Sequence, residues 1–393
     1  MGTQPPTSKP AAAGGAEAPF SSNEVRLDAR QWLFVLAVVA LAMLWTPRLW
    51  ERIERFDTGP DYRIPYSLSK DYWLYGRRLG EVCGDKHVIV LGDSVIWGEY
   101  VLPDGTLSHF LNKEAGEPDR FINGGVNGLF PLASEELIEC HGRPLRGQKV
   151  ILHCNVLWMT SPKADLSSDE EEPFNHSRLV PQFSPRIPCY KADVNERLGA
   201  WMEQRVAFVS WVDHLQNAYF GQKGILNWTM ESDSGSPPRF PNLWRNPLAQ
   251  ITLAVPSAAR DDAKRGPKSP RHKPWFAGGA TRTRFDWVAP DASLQWGAFQ
   301  RLVGILRERG NDVLVVLGPF NEHLMTEESL RAYRKLRDEI AGWVSQNHVP
   351  LLMPELLPSA LYADGSHPLT DGYALLAKRI YEDEVFRKWF QHK

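Results

Sequence analysis

The chain has 393 residues, of which 43% are hydrophobic and 23% charged, so it can build a sizeable core and is not wholly disordered. Its 45 basic and 47 acidic side chains give a formal net charge of −2, which argues against a dedicated nucleic-acid-binding protein. Four cysteines are too few for a disulfide-built scaffold, and the cysteines and histidines follow no metal-ligand spacing. We therefore predict no metal and no cofactor.

The N-terminal region predicts a tail followed by a membrane anchor. Residues 1–30 are rich in Pro, Ala, Gly and Ser and predict a disordered cytoplasmic tail. Residues 31–50 contain an uncharged apolar stretch with tryptophans near both ends, which favours a transmembrane signal anchor. A cleaved signal peptide and a buried core helix are the alternatives. Residues 51–84 are interpreted as a linker or juxtamembrane segment.

The distribution of basic residues leaves the orientation in the membrane open. Residues 1–30 hold three basic residues, whereas residues 48–78 hold seven. The positive-inside rule would then place the following domain in the cytoplasm. This conflicts with the chemistry inferred below, which favours an extracytoplasmic domain.

Two apolar, β-branched runs predict buried parallel strands that end in chemically useful residues. Residues 87–91 lead into Gly92-Asp93-Ser94, and a serine at the carboxyl end of such a strand is a candidate nucleophile. Residues 149–154 lead to Asn155, whose amide can donate to a developing negative charge. Each motif alone is also typical of an ordinary turn or cap.

A glycine-rich turn and an Asp-x-x-His loop complete the candidate motifs. The turn at residues 123–128 contains Gly125, whose backbone N–H could stabilise an oxyanion. Asp364 and His367 lie three residues apart on a loop, where the carboxylate can orient the imidazole towards a serine. Taken alone, both patterns are common on protein surfaces.

The remaining sequence indicates an α/β architecture with an interruption. Helical patterns at residues 293–309 and 327–346 alternate with apolar runs at 313–317 and 349–353, which favours a parallel sheet with helices on both faces. Asn321 and Glu322 follow one of these strands and are possible pocket residues.

Residues 160–285 interrupt this alternation and are interpreted as an insertion. It contains a predicted helix at residues 195–220 and a basic stretch at 258–273. The basic stretch would suit an anionic polymer or lipid headgroups, or form a solvated loop.

In chain order, the motifs contain Ser94, Gly125, Asn155, and the pair Asp364 and His367. This ordered set resembles the SGNH/GDSL hydrolase superfamily, and the resemblance covers residues 85–160 and 285–385. The resemblance implies a three-layer α/β/α flavodoxin-like fold, with residues 85–393 as the catalytic domain. It implies a triad of Ser94, His367 and Asp364, and an oxyanion hole formed by Ser94, Gly125 and Asn155. Two departures stand out: the leucine after the serine is Val95, and the usual Gly-x-Asn-Asp block reads His153-Cys154-Asn155-Val156.

The function expected from this resemblance is acyl transfer at the cell surface. The leading hypothesis is a membrane-anchored, extracytoplasmic serine O-acyltransferase or esterase that acts on a glycan beside a multi-spanning acyltransferase. Trp97 and Trp158 lie three residues beyond Ser94 and Asn155, where they could wall a sugar-binding pocket. The alternatives are a hydrolase of small or lipid esters and a non-catalytic, membrane-tethered polymer-binding or assembly subunit.

Overall fold

The structure is a computed structural model that describes residues 27–56, 58–59, 61–64, 70–84, 86–231, 244–255 and 273–391. Nearly all of the predicted disordered tail, and the basic stretch up to residue 272, lie outside the described residues. The chain separates into two units, with the boundary between Thr46 and Pro47.

A long apolar helix, α1 (Ala29–Ile53), lies at the N-terminal end of the described chain. Among the described residues it is the one helix that is long and apolar enough to cross a membrane. Its large side chains are exposed, including Trp32, Phe34 and Trp45. A core helix would bury such side chains, so this exposure favours the predicted membrane anchor over that alternative.

The second unit is built on a parallel sheet of five strands in the order β2-β1-β3-β4-β5. The strands are β1 (Val88–Gly92), β2 (Phe121–Gly125), β3 (Lys149–Cys154), β4 (Asp312–Leu317) and β5 (Leu351–Leu352). The helices that follow α1 are α2 (Tyr72–Val82), α3 (Ser94–Trp97), α4 (Leu107–Ala115), α5 (Pro131–Cys140), α6 (Pro162–Asp165), α7 (Val194–Arg205), α8 (Ala207–Tyr219), α9 (Ile225–Met230), α10 (Pro247–Gln250), α11 (Leu294–Glu308), α12 (Glu327–Gln346), α13 (Thr370–Glu382) and α14 (Glu384–Gln391).

Helices cover both faces of this sheet because successive strand residues point to opposite sides. Ile89 and Leu91 pack in a core shared with α2, α5, α11 and α12. Val88 and Val90 pack in a second core shared with α3, α4, α13 and α14. Strands buried on both faces read as continuous apolar runs, which is why the sequence pattern could predict them. The prediction of an α/β fold with a parallel sheet is confirmed.

The segments outside the sheet are more closely packed than the sequence suggested. Residues 51–84, interpreted as a linker, contain α2, most of whose side chains are buried. One side of α2 faces the sheet core, whereas Trp73 packs with α8 of the insertion. The single helix predicted at residues 195–220 is instead two helices, α7 and α8. Val206 adopts an extended conformation between them, with φ −112° and ψ 104°.

A buried network of charged side chains joins α2 and α8 to the residue after α1. His214 lies between two carboxylates, with Nε2 3.0 Å from Glu54 Oε1 and Nδ1 2.8 Å from Asp71 Oδ2. Arg77 also donates to Glu54, over 2.6 Å. Because both ring nitrogens of His214 face carboxylates, both carry protons. Burial would lower the pKa of His214, but the two carboxylates raise it to about 9.

Candidate active site

The candidate residues meet at the carboxyl edge of the sheet. Ser94 follows β1, Asn155 follows β3, and the glycine-rich turn follows β2. Asp364 and His367 lie on the loop between β5 and α13. In open parallel sheets, ligands bind at this edge, so topology alone makes it a candidate reaction site.

Ser94, His367 and Asp364 form a continuous hydrogen-bonded chain. Ser94 Oγ lies 2.8 Å from His367 Nε2, and His367 Nδ1 lies 2.8 Å from both oxygens of Asp364. A carboxylate only accepts, so Nδ1 carries the proton and Nε2 accepts from the serine hydroxyl. The backbone N–H groups of Ser366 and His367 also donate to Asp364, over 2.9 Å each. This is the nucleophile–base–orienter arrangement of a hydrolytic triad.

The electrostatics of the pair suit a general base. Burial would raise the pKa of Asp364, but His367 and the two backbone donors hold it at about 2. Burial would lower the pKa of His367, yet the charge and hydrogen bond of Asp364, together with the charges of Asp93 and Glu99, raise it above its usual value. Asp364 therefore stays ionised at neutral pH and stabilises the imidazolium that forms when His367 takes a proton.

Three buried contacts fix the short helix α3 that carries Ser94 at its first position. Asp93 caps its start by accepting from Val95 N over 3.0 Å. The buried guanidinium of Arg63 donates to the carbonyls of Trp97 and Gly98 at its end. Cations are favourable at a helix C-terminus, so Arg63 stabilises α3 from a segment that the sequence analysis treated as a linker.

The predicted backbone oxyanion donors differ in whether their N–H groups already have a hydrogen-bond acceptor. Within the described part of the chain, the Ser94 N–H has no protein acceptor and remains available. The Gly125 N–H, in contrast, donates to Asn123 Oδ1 over 3.0 Å, so the group predicted to donate to the oxyanion already has an acceptor. Gly128, at the end of the same turn, has a φ of +73° and an N–H without an acceptor among the described residues. The repeated glycines of this turn were the only sequence signal for Gly128.

Asn155 is held in a fixed orientation by contacts with Asp93 and Leu157. Its Nδ2 donates to Asp93 Oδ2 over 2.7 Å, and its Oδ1 accepts from Leu157 N over 3.1 Å. The side chain amide has a second N–H group, which is the donor that the predicted oxyanion role requires. One N–H of Asn155 therefore remains able to donate, while the other N–H and Oδ1 fix the orientation of the amide.

The two tryptophans predicted to wall the pocket are core residues instead. Trp97 is fully buried, donates Nε1 to the Ile64 carbonyl and packs under the guanidinium of Arg63. Trp158 is 8% exposed, packs against Phe299 and directs Nε1 at Asp93 Oδ2, 3.3 Å away. A buried ring offers no face to a sugar, so this prediction is wrong for Trp97. Trp158 is nearly buried as well, and its indole N–H helps to position Asp93.

Asn321 and Glu322 also have structural roles. Asn321 is fully buried, and its Nδ2 donates to the Asp364 carbonyl over 2.9 Å, so it positions the loop that carries the acid and base. Glu322 pairs with Arg334 and Arg337 of α12, at 3.0 and 3.5 Å. Neither residue acts as the pocket residue predicted from sequence.

Residues that the sequence analysis missed surround the base. The ring of Tyr100 lies edge-on against His367, with centroids 5.0 Å apart. Glu99 accepts a hydrogen bond from Asn127 Nδ2, and its negative charge contributes to the raised pKa of His367. Tyr100 and Glu99 follow Ser94 so closely that proximity in sequence was the only signal for them.

Neither a protein-family model nor a curated protein matches this chain. Within the described ranges, no group of three or more histidine, cysteine or acidic side chains could hold a metal ion. The geometry of the site itself is therefore the basis for inferring a function.

Proposed function

We propose that the protein is an SGNH-type serine O-acyltransferase or esterase, anchored in a membrane by α1, that acts on acyl esters of a cell-surface glycan. The observation that carries this proposal is the chain Ser94–His367–Asp364, with 2.8 Å between hydroxyl and imidazole and between imidazole and carboxylate. Distances of this length are those expected for a serine and its general base.

The first chemical step forms an acyl-serine. His367 Nε2 takes the hydroxyl proton as Ser94 Oγ attacks the ester carbonyl, and Asp364 stabilises the resulting imidazolium. The Ser94 N–H, the second Nδ2 proton of Asn155 and the Gly128 N–H are the candidate donors to the developing oxyanion. The imidazolium then gives its proton to the leaving alkoxide, and the acyl group remains on Ser94.

The second step releases the acyl group. Water, or a sugar hydroxyl in the transferase, gives its proton to His367 Nε2 and attacks the acyl carbonyl. Collapse of the tetrahedral intermediate returns the proton to Ser94 Oγ. The same residues therefore serve both steps, and the identity of the acceptor distinguishes transferase from esterase.

The fold supports this proposal at the level of topology. The strand order β2-β1-β3-β4-β5 is that of flavodoxin-like doubly wound sheets. The nucleophile follows β1, and the acid and base precede α13, in the order that the SGNH resemblance implies. We therefore propose the flavodoxin-like SGNH fold for residues 85–393.

The burial of Trp97 and Trp158 removes one reason for expecting a glycan substrate. Glycan was favoured over small or lipid esters because Trp97 and Trp158 were expected to face the pocket, and both are buried. The glycan proposal now rests on the resemblance to envelope-facing SGNH proteins with a single N-terminal anchor. We retain with it an extracytoplasmic catalytic domain and a multi-spanning acyltransferase as the source of acyl groups.

A serine-directed probe tests the nucleophile. A fluorophosphonate should label the detergent-solubilised full chain, and Ser94→Ala should abolish the labelling. Ser345→Ala, on the exposed surface of α12, is the matched control and should label like wild type. A wild-type chain that is folded and does not label would refute the nucleophile and favour the non-catalytic assembly subunit.

Two further measurements separate the remaining alternatives. Release of acetate from an aryl acetate is measured with and without added oligosaccharide. In a transferase, the oligosaccharide should receive acetyl groups that would otherwise appear as free acetate. Hydrolysis of small or lipid esters without transfer would favour the plain hydrolase. A reporter fused to the C-terminus should be active only on the extracytoplasmic side, and a cytoplasmic signal would overturn the proposed location.

A further inference from the structure

A separate cavity of about 190 Å³ lies where the insertion meets the start of α2. Lys70 and Tyr72 come from the α2 side, Arg178 from the loop before α7, Glu203 from α7, and Asp213 and Asn217 from α8. We call it the insertion cavity. None of these residues belongs to the triad, so the cavity has no role in the chemistry described above.

The lining of the insertion cavity carries groups of both charges. Arg178 Nη1 lies 2.8 Å from Glu203 Oε2 and 3.2 Å from Asp213 Oδ1, and Lys70 supplies a second cation to the lining. Because cations and acidic side chains line the cavity together, neither an anion nor a cation would meet only groups of the opposite charge. A phosphate would meet both carboxylates, and a polyamine would meet both cations. The cavity therefore favours a neutral ligand.

The lining also offers donors and acceptors side by side. Carboxylate oxygens accept, ammonium and guanidinium groups donate, and Asn217 does both; its Nδ2 already holds Asp213 Oδ2 at 2.8 Å. Burial and the neighbouring Asp213 raise the pKa of Glu203, so this group can donate as well as accept near neutral pH. A ligand with several hydroxyl groups satisfies such a mixed lining best.

The size of the cavity limits the ligand to a single small ring. Pockets for drug-sized ligands have volumes of roughly 300–1,000 Å³, so 190 Å³ suits a smaller molecule. A monosaccharide, either free or as one unit of a longer chain, is a polyhydroxylated ring of this size.

Hydrogen bonds connect the lining of the insertion cavity to the glycine-rich turn at residues 123–128. Tyr72 and His176 both line the cavity, and His176 Nε2 lies 2.8 Å from the Asn127 carbonyl. A carbonyl only accepts, so Nε2 carries the proton and Nδ1 accepts from the Tyr72 hydroxyl, 2.8 Å away. Asn127 precedes Gly128 in the turn at the serine. His176 therefore connects the lining of the cavity to the turn that carries Gly128.

We propose that the insertion cavity binds one neutral sugar unit of the glycan, an inference that rests on the proposed function for the identity of the polymer. Binding is tested by calorimetry on the full chain in a detergent without a sugar headgroup. The probes are the methyl glycosides of glucose, galactose, mannose and N-acetylglucosamine, with glucose 6-phosphate and spermidine as charged comparators.

At least one neutral glycoside should bind saturably, and Asp213→Asn should weaken this binding by about tenfold or more, since it removes a charged hydrogen-bond acceptor from the lining. Asn217→Ala provides a second lining variant if Asp213→Asn fails to fold. Asp338→Asn, on the exposed face of α12, is the matched control and should bind like wild type.

Three results would overturn the proposal: no glycoside binding below about 10 mM, binding that both lining variants leave unchanged, or tighter binding of a charged comparator. Ser94→Ala should bind sugar like wild type. Binding without serine labelling would refute only the catalytic proposal, whereas labelling without binding would refute only the sugar site.

Discussion

Replacing Asp364 with asparagine separates the charge of the acid from its shape. Asparagine keeps one oxygen that can accept from the backbone N–H groups of Ser366 and His367, which both donate to Asp364 Oδ1. It loses the negative charge that lies 2.8 Å from His367 Nδ1. The variant should therefore fold like wild type and lose activity.

The size of the loss follows from the geometry. Two unit charges about 4 Å apart interact by about 4 kcal/mol at an effective dielectric constant of about 20. The Asp364 side chain is 37% exposed, so solvent screening reduces this to about 2–3 kcal/mol. The electrostatic part alone then slows acylation by about 10²-fold, and a misoriented imidazole extends the loss towards the roughly 10⁴-fold known for serine-protease triads.

The pH dependence of kcat/KM gives a second, independent test of the charge on Asp364. His367 acts as a base only when neutral, so kcat/KM rises as pH increases through its pKa. Burial lowers that pKa, and Asp364, together with Asp93 and Glu99, raises it above its usual value. Removing the charge of Asp364 therefore moves the acid limb to lower pH, even though the plateau falls.

Aryl acetate hydrolysis, measured from about pH 4 to pH 9, gives both the plateau and the acid limb for wild type and Asp364→Asn. A variant within about threefold of wild type at the plateau would refute Asp364 as the orienting group. An acid limb that moves to higher pH would contradict the assigned electrostatics.

Three further variants test other parts of the structure. Asn155→Ala should lower the acylation rate per labelled site by about 10²–10³-fold in stopped-flow measurements, since it removes an oxyanion donor; a normal rate would exclude that role. Gly125→Ala should lower the free energy of unfolding by at least about 2 kcal/mol, because a Cβ would lie 2.4 Å from a backbone nitrogen of α3. The open position Gly342 is its control, where alanine should stabilise α12 by about 0.5–1 kcal/mol. His214→Gln should cost about 3–5 kcal/mol at neutral pH, because it removes the cation that lies between two buried carboxylates, of which Glu54 keeps its contact with Arg77. Since the folded pKa of His214 is about 9 and the unfolded one about 6.5, this difference should be complete below about pH 6.5 and shrink as pH rises to 9. Denaturant titrations at several pH values would show a constant difference if the network were wrong.

The parts of the site that the sequence could predict depend on local pattern. Continuous apolar runs indicated the strands, and a strand end fixes which edge of the sheet Ser94 occupies. Asp364 and His367 are three residues apart on one loop, so their mutual contact needs little long-range information. The contact between His367 and Ser94 spans 273 positions, and only the order of the motifs pointed to it.

The parts that the sequence could not predict depend on where side chains point after packing. Trp97 and Trp158 follow functional residues, yet both rings turn into the core. Arg63 lies in a stretch without a clear pattern and reaches the end of α3 through three backbone carbonyls. Such contacts are set by the tertiary arrangement of distant segments, and neither spacing nor composition encodes them.

The departure at His153 has a consequence for the oxyanion donor. In place of the expected glycine, a buried histidine brings Nδ1 to 3.7 Å from Asp93 Oδ1, within ion-pair range and beyond a hydrogen bond. Burial would raise the pKa of Asp93, but His153, His367 and the Val95 N–H lower it. Asp93 is therefore ionised and can only accept, so the atom of Asn155 that faces it must be Nδ2. The histidine thus helps to fix the amide in the one orientation that leaves an N–H, and not an oxygen, for the substrate.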